Sequence, residues 1–147
     1  MNHLNSILLE GNVVRPPEAK TTGGPSGQPL VVFRIASNRY YRTPQTKPGA
    51  WEEDTLYMDV LAWGQLGLKC MECLDKGMLV RAIGRLRSSS FVKEGEERPT
   101  VRFSIIAQHI EFRRRRPEGG DEEEVTLNAS MEDEGGALGE PLVVYEY

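Results

Sequence analysis

Aromatic and arginine side chains share one face of three segments that alternate between apolar and polar residues. In the segment 55–63 every second residue from Leu56 to Ala62 is apolar, which places Tyr57 and Trp63 on the opposite face. The same alternation in the segment 79–91 places Phe91 on a face rich in arginine. The arginines assigned to this surface from charge and face are Arg34, Arg39, Arg81 and Arg85, and the alternation places Arg87 on the same side.

Flat rings beside guanidinium groups are suited to single-stranded nucleic acid. Bases stack on aromatic rings with about 1–3 kcal/mol per base, and cations neutralise the phosphates. Because every base has a stacking face, the pattern predicts binding with little sequence preference. An alternative stays open at this point: such rings also pack under loops or between subunits, which would make the chain an assembly module that binds no nucleic acid.

The elements that position these rings are strands around one helix. The apolar segments, separated by Gly and Pro turns, are 4–14, 29–39, 55–63, 79–91 and 100–112. Between the third and the fourth, Leu66, Cys70 and Leu74 recur at helical spacing and predict a helix over 65–74. Gly77 follows as the residue that stops it. This order predicts an all-β fold, a five-stranded barrel of the oligonucleotide/oligosaccharide-binding (OB) type with one short helix between strands 3 and 4.

Charge divides the chain into two parts. Among the 147 residues, all 18 Lys and Arg lie at or before Arg116, whereas the segment 117–147 has ten acidic residues and no Lys or Arg. We expect a binding domain over 1–112, followed over 113–147 by a basic hinge and a largely disordered acidic tail. The arginine run 113–116 could equally bind phosphate, and the tail could serve only to increase solubility.

Several classes of protein are excluded by composition. No apolar run approaches the ~20 residues that cross a bilayer, and the N-terminus resembles neither a signal nor a transit peptide. Cys70 and Cys73 lie on the apolar face of the predicted helix, so core packing is favoured over zinc or redox chemistry. We expect no metal, no cofactor and no enzymatic activity, and two cysteines fit a reducing cytoplasm.

Motifs along residues 1–112 resemble those of bacterial single-stranded DNA-binding proteins in order and spacing. The matching stretches are 2–13, 17–18, 33–41, 55–57, 62–66, 73–77 and 84–87. The resemblance implies DNA-stacking aromatics at Tyr41, Tyr57, Trp63 and Phe91, and phosphate contacts at Lys20, Arg42, Lys76 and Arg87. It also implies a homotetramer, which would cover outward apolar residues such as Leu61 and Ile83.

The function implied by this resemblance is protection of single-stranded DNA, without catalysis, in replication, recombination and repair near the nucleoid. An RNA-binding or primosome-type OB protein is the alternative with the same fold. Family tails usually recruit replication and repair proteins through a terminal Ile-Pro-Phe, which this chain lacks. Its last residues are either a diverged docking peptide or a strand-forming segment that pairs with another edge. The residues of the predicted docking peptide are Glu140, Leu142, Val143, Val144, Tyr145 and Tyr147.

Overall fold

The computed structural model describes residues 1–20, 27–115 and 119–129. Within these ranges strands dominate and one helix interrupts them. The elements are β1 (Ile7–Val13), β2 (Glu18–Lys20), β3 (Leu30–Tyr41), β4 (Glu52–Trp63), α1 (Gly64–Cys73), β5 (Leu79–Phe91), β6 (Thr100–Arg115) and β7 (Glu122–Asn128). The five predicted strands correspond to β1, β3, β4, β5 and β6, and the predicted helix corresponds to α1.

These five strands close into a barrel. The strand order is β1-β5-β6-β4-β3-β2, and β1 also pairs with β3 through Asn12↔Ala36 and Val13↔Ile35. The β4–β6 pairing is parallel, over Asp59–Leu61, whereas the other pairings are antiparallel. The predicted OB-type barrel with a helix between its third and fourth strands is therefore confirmed.

The barrel interior is filled by the apolar face of each strand. Val31, Phe33 and Ile35 of β3 are buried there opposite Val60 and Ala62 of β4. The apolar side of α1 covers one end of the barrel with three buried residues, Leu66, Cys70 and, just after the helix, Leu74. Burial raises the pKa of the Cys70 thiol to about 12, as expected for a core cysteine rather than a reactive one.

Strands continue beyond residue 112, into the segment for which the sequence predicts a basic hinge and a largely disordered tail. Arginines 113–115 continue β6, and Glu122, Glu123 and Glu124 of β7 lie opposite them in antiparallel register. The Arg114 Nε atom donates to Glu123 Oε1 at 2.6 Å. Cross-strand opposite charges and the burial of Leu127 against the core offset the entropy of ordering this segment, which composition alone does not reveal.

His109 connects β6 to β7. Its Nδ1 atom contacts Asn128 Oδ1, and its Nε2 atom lies 2.8 Å from Glu111 Oε1. Hydrogen bonds to Glu111 and then Asn128 raise the pKa of His109 above 6.5, and the contact with His109 lowers the pKa of Glu111 below 4.5.

We expect the β6–β7 pairing to weaken above neutral pH. The pKa of His109 is higher in the folded protein than in the unfolded chain, so its contribution to stability is complete below about pH 6.5 and is lost as the pH rises through the folded-state pKa. The pKa of Glu111 is lowered by folding, so its contribution is lost only at acidic pH. Hydrogen exchange checks this at the Ala129 amide, which donates to Gln108 O at 2.8 Å. Its protection should fall as the pH rises above 6.5 in the wild type and stay constant in His109→Gln. Equal profiles in both proteins would contradict the prediction.

The described residues lack both a membrane-spanning helix and a metal-binding cluster. They contain no helix long and apolar enough to cross a membrane. They also contain no group of three or more His, Cys, Asp or Glu residues that could hold a metal ion.

Candidate nucleic-acid interface

One surface of β3, β4, β6 and β5 carries most of the polar and aromatic residues predicted to bind; we call it the outer face. Even-numbered residues of β3 lie beside odd-numbered residues of β4 on this face, as in Arg34↔Asp59 and Ala36↔Tyr57. The face continues through Ser104 of β6, which pairs with Asp59 on one side and with Arg87 of β5 on the other. Alternation along four paired strands therefore brings the predicted side chains to one surface.

Arg34 occupies the centre of the outer face and contacts both an acid and a ring. Its Nε atom donates to Asp59 Oδ1 at 3.1 Å, and Asp59 is only 4% exposed. The Arg34 guanidinium also lies 5.9 Å from the centroid of the Tyr57 ring, whose side chain is largely exposed. The buried carboxylate thus orients the arginine beside an accessible aromatic ring.

A second pair of ring and guanidinium lies on the β5–β6 hairpin. The Arg102 guanidinium is 4.8 Å from the centroid of the Phe91 ring, and both residues are half-buried. Arg87 and Arg85 follow on the same face of β5, opposite Ser104 and Ile106. Arg102 is absent from the sequence-based predictions, although alternation within 100–112 places it on the face opposite the core residue Ile105.

Trp63 lies on the outer face as predicted, but the expectation that its ring is exposed is wrong. The side chain is 6% exposed and packs with Leu30, Val32, Leu61 and Ile106 in a second apolar cluster. The cross-strand pairs Leu30↔Trp63 and Val32↔Leu61 make this end of the face apolar, so it packs instead of meeting solvent. Leu61, predicted to be covered by a neighbouring subunit, is buried within the chain itself.

Tyr41 is the last residue of β3 and pairs with Glu52, whereas the sequence predicts a loop there. The alternation of β3 places its side chain on the face opposite Tyr57, beside Arg39, whose guanidinium is 5.3 Å from the ring centroid. A hydrogen bond to Glu52 raises the pKa of the Tyr41 hydroxyl. Tyr41 therefore lies on the other face of the β3–β4 hairpin from Tyr57, a predicted stacking residue that is exposed.

The remaining predicted cations lie in three different settings. The Nε atom of Arg81 donates to Glu10 Oε2 at 2.6 Å, and the bond raises the pKa of Arg81. The Lys20 ammonium lies 3.1 Å from Glu18 Oε2. Lys76 is exposed in the turn after α1, outside the outer face. Arg81 and Lys20 are thus each paired with an acid, and Lys76 lies away from the outer face.

The β3–β4 hairpin adds exposed aromatic residues that the sequence-based predictions did not include. Tyr40 is 60% exposed on the outer face, and its hydroxyl donates to Glu53 Oε1 at 3.2 Å. Trp51 is 61% exposed, with the guanidinium of Arg42 4.2 Å from its ring. Continuing the alternation past the predicted strand ends would have placed both on this face.

The predicted docking peptide has six residues within the segment 140–147, and this segment lies outside the described residues.

A closed five-stranded barrel whose outer face carries exposed rings beside arginines defines a class of protein, the OB-fold binders of extended oligonucleotides. Comparison with known families then identifies the group within this class. The single-strand binding protein family matches residues 4–113, and the chain belongs to that family.

Curated relatives align along most of this chain. It is 31% identical over 148 residues to single-stranded DNA-binding protein 2 of Chlorobaculum tepidum, covering 100% of this chain and 96% of the relative. It is 33% identical over 131 residues to the single-stranded DNA-binding protein of Aquifex aeolicus, covering 89% and 80%.

Two solved structures share this fold. The Plasmodium falciparum SSB complex with ssDNA aligns with a TM-score of 0.62 at 21% identity, over 87% of this chain and 98% of that one. A small single-stranded DNA-binding protein from Streptomyces coelicolor aligns with a TM-score of 0.57 at 29% identity, over 75% and 94%.

Proposed function

We propose that this protein binds single-stranded DNA with little sequence preference and without catalysis. The observation that carries the proposal is the outer face, where Tyr57 with Arg34 and Phe91 with Arg102 form two pairs of ring and guanidinium. Bases stack on the rings while Arg34, Arg85, Arg87 and Arg102 neutralise phosphates. Relatives that are named single-stranded DNA-binding proteins support this choice of ligand.

Loss of the Tyr57 ring should weaken DNA binding. Tyr57→Ala removes an exposed stacking surface, for which we expect about 1–3 kcal/mol of lost binding free energy, a 5- to 150-fold increase in Kd. Fluorescence anisotropy of labelled oligo-dT measures this. Leu56→Ala is the matched control, because Leu56 is the adjacent residue, is 49% exposed and lies on the opposite face of β4. Equal affinities for Tyr57→Ala and Leu56→Ala would argue against stacking at this face.

The same assay distinguishes the possible nucleic-acid ligands. Oligo-dT should bind more tightly than duplex DNA, and log Kobs should fall with log salt with a slope of about −0.7 per phosphate neutralised. Tighter binding to oligo-U than to oligo-dT would support the RNA-binding alternative instead. No binding to any oligonucleotide at low salt would overturn the proposal.

We further propose a homotetrameric assembly that protects DNA during replication, recombination and repair. Exposed Leu8 and Leu79 lie on the β1–β5 surface together with half-buried Ile83, which supports contact between subunits there. Light scattering tests the assembly, and a monomeric mass would refute it.

We also propose that the segment 140–147 recruits partner proteins through its apolar side chains. Truncation after Gly139 tests this, and unchanged partner binding would refute it.

A further inference from the structure

We infer that Trp51 and Arg42, at the end of the β3–β4 hairpin, form an additional base-stacking site for single-stranded DNA; the inference rests on the proposed function. Two tryptophans occur in the sequence, Trp51 and Trp63. Trp63 is buried in an apolar cluster, whereas Trp51 is 61% exposed. Trp51 is therefore the tryptophan that can stack on DNA, although the strand patterns predicted no role for it.

The register of the hairpin places this pair on the outer face. The last paired residues are Tyr41 and Glu52, so Arg42 and Trp51 are the next two opposite positions. The guanidinium of Arg42 lies 4.2 Å from the centroid of the Trp51 ring, which fits a direct cross-strand contact. Because side chains alternate along a strand, Arg42 and Trp51 lie on the same side of the sheet as Tyr57, and Trp51 is about 20 Å from Tyr57 along the strand. The pair thus extends the outer face beyond the barrel.

One face of the indole remains available to a base. The Arg42 guanidinium contacts the ring, and the residue is nevertheless 61% exposed, which leaves room for a base. A base placed on the free side would complete a stack of guanidinium, indole and base, in which the cation contributes from the far side of the ring. Arg42 also holds the ring in place before DNA arrives, which reduces the entropy lost on binding.

The charges of the hairpin predict how this site depends on salt. Between residues 39 and 54, the cations Arg39, Arg42 and Lys47 are balanced by Glu52, Glu53 and Asp54. Binding at Trp51 should therefore come mainly from stacking, with few counterions released. Loss of the ring should lower the affinity by a similar factor at low and high salt.

Fluorescence separates the two tryptophans. Oligo-dT titrated into the wild type should quench the Trp51 emission. In Trp51→Phe the remaining indole is buried, and the quenching should disappear. In Trp63→Phe it should persist. Quenching that persists in Trp51→Phe would overturn the inference while leaving the proposed function intact. Failure of labelled oligo-dT to bind the wild type in an anisotropy assay would instead overturn the proposed function.

Affinity measurements distinguish stacking from a structural role for the pair. We expect Trp51→Ala to raise Kd for labelled oligo-dT by about 5- to 150-fold without changing the salt slope, and Trp51→Phe to recover much of the loss because it restores a ring. Thermal unfolding of both variants reports on the hairpin. A lower Tm for Trp51→Ala with an unchanged Kd would show that the pair only stabilises the hairpin and would overturn the inference.

Discussion

Replacing Arg34 by alanine is expected to lower the free energy of unfolding by about 3 kcal/mol. Asp59 is 4% exposed, and its Oδ1 atom accepts from Arg34 Nε at 3.1 Å. Without the guanidinium the carboxylate stays in a site that excludes water and loses its opposite charge. The Arg34 side chain is about one-third exposed, so the effect lies at the lower end of the range for buried pairs. Equilibrium urea unfolding measures it.

Neutralising the partner distinguishes a buried charge from lost packing. The double variant Arg34→Ala with Asp59→Asn should be more stable than Arg34→Ala alone, because an amide is less costly to bury than a carboxylate that has lost its ion pair. Binding to oligo-dT should nevertheless stay weak in both, since each lacks the cation beside Tyr57. A double variant no more stable than the single one would contradict the assignment of the loss to the Asp59 charge.

Replacing Gly84 by alanine is expected to prevent normal closure of the barrel. Gly84 lies in β5 between Ile7 of β1 and Ala107 of β6, where the β5–β6 register shifts. A Cβ atom there would lie 1.9 Å from the carbonyl oxygen of Ile106. That oxygen belongs to the backbone, so it cannot move away without disturbing the strand pairing. We expect a loss of at least about 3 kcal/mol, which corresponds to a Tm about 10 °C lower.

Gly95 provides the contrasting substitution. It lies in the turn between β5 and β6 with a φ of 87°, and a Cβ atom there would meet nothing within 4 Å. Gly95→Ala therefore introduces only the backbone strain of a left-handed residue, about 1–2 kcal/mol. Calorimetry of the two variants should show a clearly larger fall in Tm for Gly84→Ala. Similar falls would mean that close backbone approach at the bulge is not what requires glycine.

Local patterns were sufficient to predict most of the fold. Alternation predicted all five barrel strands, and the spacing of Leu66, Cys70 and Leu74 predicted the helix. The composition of the acidic segment did not reveal β7, because composition is an average over all residues of the segment and hides a short strand within it. The alternation of Val125 and Leu127 with polar residues is visible in the sequence. Its partner, the arginine run at the end of β6, becomes apparent only once the two segments are paired.

For the candidate interface, the sequence predicted which face of the sheet each side chain lies on but not whether that side chain is exposed to solvent. Parity assigned Tyr57, Trp63 and Arg34 to one face correctly, since side chains alternate along any strand. Whether a ring on that face meets solvent depends on its neighbours across the sheet. Tyr57 lies beside Ala36 and is exposed, whereas Trp63 lies beside Leu30 and is buried.

The amino-acid pattern thus decided the class of fold, the strand faces and the family resemblance, because each of these depends on residues close together in the chain. Only the tertiary structure decided which rings are accessible, which arginines are held by acids and where the ordered chain continues past residue 112. These depend on contacts between residues far apart in sequence, such as Arg34 with Asp59 and Arg81 with Glu10. Strand pairing creates those contacts, and no local pattern specifies them.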